Sequence, residues 1–208
     1  MSHIKTGTPL KLQTFINKAM LLFENNVRQN KQQFIQRVVQ ISNLLGIHPN
    51  WLMTVMQLES GMNHQAVNKQ RGDTEDPYDR AAKRATGLIQ FMPRTAEGLG
   101  TTNQKLYLMS NVQQLDFVYK YYKRYANRIN SVEDLYTINF WPAALGKPHS
   151  YILQTSTLSA QTVAAQNPGF DLNKDGKIEY GEFIQAIRAT ITKRLGAPVA
   201  EELFEKKK

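Results

Sequence analysis

Residues 49–61 read Pro-Asn-Trp-Leu-Met-Thr-Val-Met-Gln-Leu-Glu-Ser-Gly. Pro49 suits the first turn of a helix, where its missing N–H would have had no partner anyway. The spacing predicts a helix from Pro49 to about Ser60. Leu52, Val55, Met56 and Glu59 stand at i, i+3, i+4 and i+7 and so share one face. A carboxylate at the end of an apolar stripe is costly to ionise. Partial burial there raises its pKa and lets it keep a proton near neutral pH, as a general acid requires. Periodicity alone leaves a second outcome open, in which Glu59 lies at the helix end and turns into water.

Outward from this helix the apolar spacing is helical almost everywhere. Leu12, Phe15, Ile16, Ala19, Met20 and Phe23 follow it, as do Phe34, Ile35, Val38, Val39, Ile41, Leu44 and Leu45, with Gly46 as a stop. Residues 63–86 are polar and irregular, broken by Gly72 and Pro77, and predict a solvated loop. A short helix should follow Pro93 and end at Gly98-Leu99-Gly100. Residues 111–127 predict a longer helix carrying tyrosines at 119, 121, 122 and 125. Ser131 with Asp134 marks the start of another, running into Trp141-Pro142. Residues 143–158 are loop-like. There is no internal repeat and almost no strand-like alternation, so the fold class is all-α.

The chain has 208 residues, enough for one core plus a small appendage. It contains no cysteine, which removes disulfides, Cys-ligated zinc, iron–sulfur clusters and thiol nucleophiles. Lys and Arg number 26 against 17 Asp and Glu, a formal charge of +9 that favours anionic partners. No apolar run approaches the ~20 residues that span a bilayer. The opening residues, Met1 to Gly7, lack the apolar region and small-residue cleavage site of a secretory signal. The expectation is therefore that any action outside the producing cell depends on another route of export.

Glu59-Ser60-Gly61, then Ala66-Val67-Asn68, then Gly87-Leu88-Ile89-Gln90-Phe91-Met92-Pro93-Arg94-Thr95-Ala96 resemble the soluble lytic transglycosylase (SLT) family, goose-type-lysozyme-like enzymes of the lysozyme superfamily. The similarity is close over roughly residues 47–100 and looser to 141. The block from Gly87 to Ala96 is the specific part; Glu-Ser-Gly alone would be weak. The resemblance implies a lysozyme-like helical domain acting on bacterial peptidoglycan. It implies Glu59 as the acid/base, with Ser60 beside it as a substrate-binding residue. Asn68 falls where the family often has a serine near the substrate acetamido group. Gln90 and Met92 fall at cleft-lining positions, with Met92 equally readable as a core plug. Gly87 would let backbone come close to the sugar or to the Glu59 helix.

The sequence departs from the family pattern twice. Lys69 to Thr86 lengthens a link that is usually short, as a lid or as a contact to a partner. The family's Ala-Tyr-Asn-Ala-Gly segment is missing as written. Its nearest counterpart is Leu135 to Pro142, which puts Tyr136 at the family tyrosine, or else in the core. The resemblance implies cleavage of the β-1,4 bond between N-acetylmuramic acid and N-acetylglucosamine by one carboxylate, without a cofactor, leaving 1,6-anhydro ends. The matched blocks hold no second carboxylate. Asp73, Glu75, Asp76 or Asp79 could hold a water opposite Glu59 instead, which would make an inverting muramidase.

Near the C-terminus, Asp171, Asn173 and Asp175, with Gly176, Lys177, Ile178 and Glu182, fit the EF-hand loop. Asp171, Asn173, Asp175, the Lys177 carbonyl and Glu182 would supply the oxygens. The expectation is one structural Ca²⁺ in a single EF-hand-like helix–loop–helix appended to the lysozyme-like domain. The organisation read from the chain is therefore N-terminal helices over 1–45 and a transglycosylase domain over 46–158. An EF-hand-like segment follows over 159–195, then a tail over 196–208.

Two other classes compete. A calcium-binding adaptor without catalysis leaves the Glu59 and Gly87 blocks unexplained. A nucleic-acid binder rests on charge and tyrosines and lacks a reading motif. The absent signal suggests a bacteriophage virion component or lysis protein, with other virion or tail proteins as further partners.

Overall fold

Every side chain from Trp51 to Met56 is buried, so the helix read as carrying one apolar stripe is in fact enclosed on all sides. That follows from its composition, since a helix apolar all round can only sit inside. In this computed structural model, which describes residues 20–205, this helix is the axis of the fold. The described residues form ten α-helices and no strand. In chain order these are α1 (Lys31–Leu45), α2 (Pro49–Ser60), α3 (Pro77–Ala81), α4 (Pro93–Gly98) and α5 (Asn103–Leu108). The second half holds α6 (Asn111–Lys123), α7 (Val132–Phe140), α8 (Ala160–Gln166), α9 (Tyr180–Leu195) and α10 (Ala197–Phe204). None of them is long and apolar enough to cross a membrane.

α1 packs against α2 and α6, and α2 against α7. α7 also packs against α9 and α10, which pack on each other. The Trp51 indole N–H donates to the Leu203 carbonyl at 3.0 Å, so α10 is tied to the first turn of α2. Residues 197–204 were expected to belong to a tail; Ala200 and Leu203 instead join the main core. The helix read over Leu12 to Phe23 lies mostly outside the described residues. Its last position, Phe23, is left-handed at φ 60°, leading into a single 3₁₀ turn over Glu24–Asn26.

The appended EF-hand unit is a correction. α8 and α9 flank residues 167–179, but they do not form a discrete helix–loop–helix. Phe183, Ile187 and Ile191 of α9 lie in the same continuous core as α2 and α7. The sequence around the loop matched the pattern locally, while the packing of α9 is with the rest of the protein.

Candidate functional site

α2 is set at both ends. The His48 imidazole Nδ1 accepts from the Asn50 amide at 3.2 Å and caps its start. At its end Gly61 takes φ +60° and its N–H reaches back to Gln57 and Met56, followed by Met62 at φ 65°. A Cβ on Gly61 would meet nothing within 4 Å, so the glycine serves the backbone conformation rather than the space. Two successive left-handed residues turn the chain away sharply, leaving Glu59 and Ser60 at the lip of the buried helix.

Glu59 stays in the protein. Burial pushes its carboxyl pKa up, against hydrogen bonds from Tyr136 and Asn139 that pull it down. Both donors come from α7, three residues apart and therefore on one face. Among the described residues no ion pair involves Glu59. Asn139 is itself oriented: its Oδ1 accepts from Tyr122 at 3.5 Å and its Nδ2 donates to the Ile89 carbonyl at 3.0 Å. Tyr121 donates to the Ile138 carbonyl at 2.7 Å. Burial above all, with the Glu59 carboxyl adding to it, pushes the Tyr121, Tyr122 and Tyr136 hydroxyls up, so all three remain protonated donors.

The loop from Gly87 to Phe91 runs beside this carboxyl and is held from three sides. Ser60 Oγ lies 2.9 Å from the Leu88 carbonyl and 3.0 Å from that of Met56, so the hydroxyl proposed for substrate is engaged by backbone. Thr86 and Phe91 exchange both backbone hydrogen bonds, at 3.0 and 2.9 Å. The third side is Gln114 of α6, fully buried. Its Oε1 accepts from the Leu88 amide at 3.0 Å, and its Nε2 donates to the His64 and Leu106 carbonyls at 2.6 and 2.7 Å. Gly87 sits at φ +85°, and a Cβ there would lie 2.5 Å from Gln114 Oε1. The close approach this glycine permits is to Gln114, rather than to the Glu59 helix.

Gln90 is left-handed at φ 54°, and its Nε2 donates to the Ala66 and Gly87 carbonyls at 3.2 and 3.0 Å. It ties the loop to the segment holding Asn68, whose own amide pairs with Ala85 at 2.9 Å and whose side chain is exposed. Met92 is 57% exposed and so plugs no core. The structure thus brings Tyr136 onto Glu59, and Ser60 and Gln90 onto the neighbouring loop. Among the described residues, no hydrogen bond joins Asn68, Gln90 or Met92 to Glu59.

Sequence reading missed Asn139 and Gln114. Asn139 was findable, because it stands one turn after Tyr136. Gln114 carried no such signal, since a glutamine on a predicted helix reads as surface.

In the link from Lys69 to Thr86 three of the four acidic residues, Asp73, Glu75 and Asp76, are committed to the link itself. Asp73 is gripped by Arg84 through contacts of 2.7, 2.9 and 3.1 Å, and it also accepts from the Gln70 amide. The Arg84 bonds, that amide and nearby positive charge hold the Asp73 carboxyl below its usual range. Glu75 pairs with Lys69 at 2.6 Å, and Asp76 caps α3 through the Asp79 amide.

The calcium expectation is overturned. Among the described residues no group of three or more His, Asp or Glu side chains converges to hold a metal ion. The oxygens of Asp171, Asn173, Asp175 and Glu182 face backbone amides instead. Glu182 accepts from Leu172, Asn173 and Glu179 at 3.1, 3.1 and 2.9 Å. Asp171 accepts from Asp175 and Gly176 at 3.2 and 3.1 Å, Asn173 from Asp175 at 2.9 Å, and Asp175 from Lys177 at 3.0 Å. The Lys177 ammonium lies 3.9 Å from Asp175. The acidic letters build a capped turn at the start of α9.

With this geometry in place, residues 38–137 match the family model of the transglycosylase SLT domain. Over these residues the chain is similar to an SLT domain. Comparisons with curated proteins and with solved structures returned no match. The matched SLT segment contains Glu59, the Gly87 loop and Tyr136. It stops at Thr137, inside α7 and before Asn139.

Proposed function

We propose that this protein is a peptidoglycan lytic transglycosylase in which Glu59 is the acid/base. The observation carrying this reading is a half-buried carboxyl that meets two neutral donors and, among the described residues, no ion-pair partner. An arginine partner would favour the ionised form; burial favours the protonated one. The SLT domain supplies the substrate class, a β-1,4 bond between N-acetylmuramic acid and N-acetylglucosamine.

In this reading protonated Glu59 gives its proton to the glycosidic oxygen as the bond from C1 to that oxygen breaks. The substrate's acetamido group stabilises the positive charge left at C1. The new carboxylate is received by the Tyr136 hydroxyl and the Asn139 amide, which strengthen as charge appears on it. Glu59 then takes the proton of the sugar's 6-hydroxyl while O6 bonds to C1, closing a 1,6-anhydro ring. Atoms balance without an external water. The formal +9 charge suits the anionic wall.

Three of the four acids named for activating a water are engaged elsewhere: Asp73 and Glu75 are ion-paired and Asp76 is a helix cap. Mass spectrometry of purified peptidoglycan after digestion tests the proposal. Anhydro ends are expected. Reducing ends would make the protein a muramidase, and undigested wall would overturn both.

A further inference from the structure

Three of the four residues at Glu133, Tyr136, Thr137 and Phe140 do nothing at the Glu59 carboxyl, yet all four touch α9. They stand at i, i+3, i+4 and i+7 of α7, on one face. Glu133 is buried and accepts from the Arg188 guanidinium at 2.6 Å. Thr137 Oγ1 lies 3.2 Å from the Tyr180 hydroxyl. Phe140 stacks on Phe183 with centroids 5.0 Å apart and planes 11° apart. Tyr136 lies against the same Phe183 ring, at 6.0 Å and 37°. Tyr136 is therefore shared: its hydroxyl is at Glu59 and its ring rests on α9.

Phe183 is fitted to act as a fixed backstop. It is wholly buried, and besides Tyr136 and Phe140 it meets Phe170 at 5.0 Å edge-on and Tyr180 at 6.3 Å. An aromatic ring boxed on several sides has no room to yield. Phe183 lies 46 residues beyond the end of the matched SLT segment at Thr137.

We propose that Phe183 is a positioning residue for the Glu59 site, holding the Tyr136 hydroxyl on the carboxyl from behind, so that α9 completes a site the SLT segment alone leaves unsupported. The role of the site rests on the reading given above; the placement of Tyr136 does not.

The groups facing Glu59 are Tyr136 and Asn139 from α7 and Tyr121 and Tyr122 from α6. Arg194 of α9 acts on Tyr136. Losing the Tyr136 donor removes an interaction that favours the carboxylate, so the Glu59 titration midpoint must rise.

The test is ¹³C NMR titration of the Glu59 carboxyl in the full chain, compared across Phe183→Ala, Tyr136→Phe and the double variant. The expected result is an upward midpoint shift in each single variant and no further shift in the double beyond Tyr136→Phe, because one acts through the other. Phe183→Leu should restore most of the parent midpoint. It also carries the test if Phe183→Ala does not fold, with a smaller shift in the same direction. Wall-digestion kinetics should show kcat lowered by about 10- to 100-fold in Phe183→Ala with KM little changed. An unmoved midpoint, or shifts that add in the double variant, would overturn the proposal and leave Phe183 a core residue. If the midpoint behaves as expected but no anhydro ends form, the positioning role stands and the functional reading fails by itself.

Discussion

The end of α2 and the loop from Asp171 to Glu182 are both places where acidic letters suggested chemistry, and they differ in what the oxygens face. At the end of α2 one carboxyl meets two side-chain donors and, among the described residues, no ion-pair partner. In the loop four residues supply oxygens, and each oxygen set is answered by backbone amides. A motif counts oxygens; it does not say which way they turn. Short polar side chains in a tight turn have local amides within reach, and bonding to them is the least demanding arrangement. Glu59 has no such outlet, because the four preceding amides of its helix are already paired along the helix.

The contrast is sharpest in catalysis. Glu59→Gln keeps the shape and removes the proton, and should lower the rate of wall lysis by about 10²–10⁴-fold. Glu182→Gln should leave the rate at the parent value. Clearing of a peptidoglycan suspension measures both, and equal losses would erase the distinction between the regions.

Stability should separate them next. Met56→Ala, one turn before Glu59 in the enclosed helix, should cost about 2–5 kcal/mol in urea denaturation through the cavity it leaves. Glu182→Ala removes a helix cap and its loop bonds, and should cost about 1–2 kcal/mol. A larger cost for the loop variant would mean that the turn, rather than α2, is the more demanding element.

A smaller effect concerns pH. Because the folded-state pKa of Glu59 is raised, the native state binds more protons than the unfolded chain between the two values. Stability contributed by this group is full below its unfolded pKa and falls as pH rises toward its folded pKa. Glu59→Gln should therefore raise the melting temperature at neutral pH and give no comparable gain in acid. A variant less stable than the parent at neutral pH would show that the carboxyl supports the fold. The least effect is expected from calcium: melting temperatures in added calcium and in chelator should coincide, and a rise with calcium would undo the account of the loop.

Much of this fold was legible because its signals are local. Gly46 stops α1 at φ 65°, and Pro49 opens α2. Ser131 caps α7 by accepting from Asp134 at 3.1 Å, as its letters indicated. Three helices went unread, among them α10, whose residues read as a tail. α3 lies inside a stretch whose charges look solvated, and α5 has too few turns to show a period. At the site, Glu59 and Tyr136 could be named from pattern and resemblance. Ser60 and Gln90 could be named, but their hydrogen bonds to backbone could not. The partners of Gln114 and Phe183 could not be read, because what each touches lies 26 and 47 residues away, at Leu88 and Tyr136.

The bond from Trp51 to Leu203 spans 152 positions of the chain. During synthesis the indole emerges from the ribosome long before the carbonyl it will meet. Until the last helix has been made, one flank of the central rod stays open to chaperones, proteases and other nascent chains. A stop codon placed just ahead of Ala197 would spare every residue at the carboxyl centre and still leave that flank uncovered.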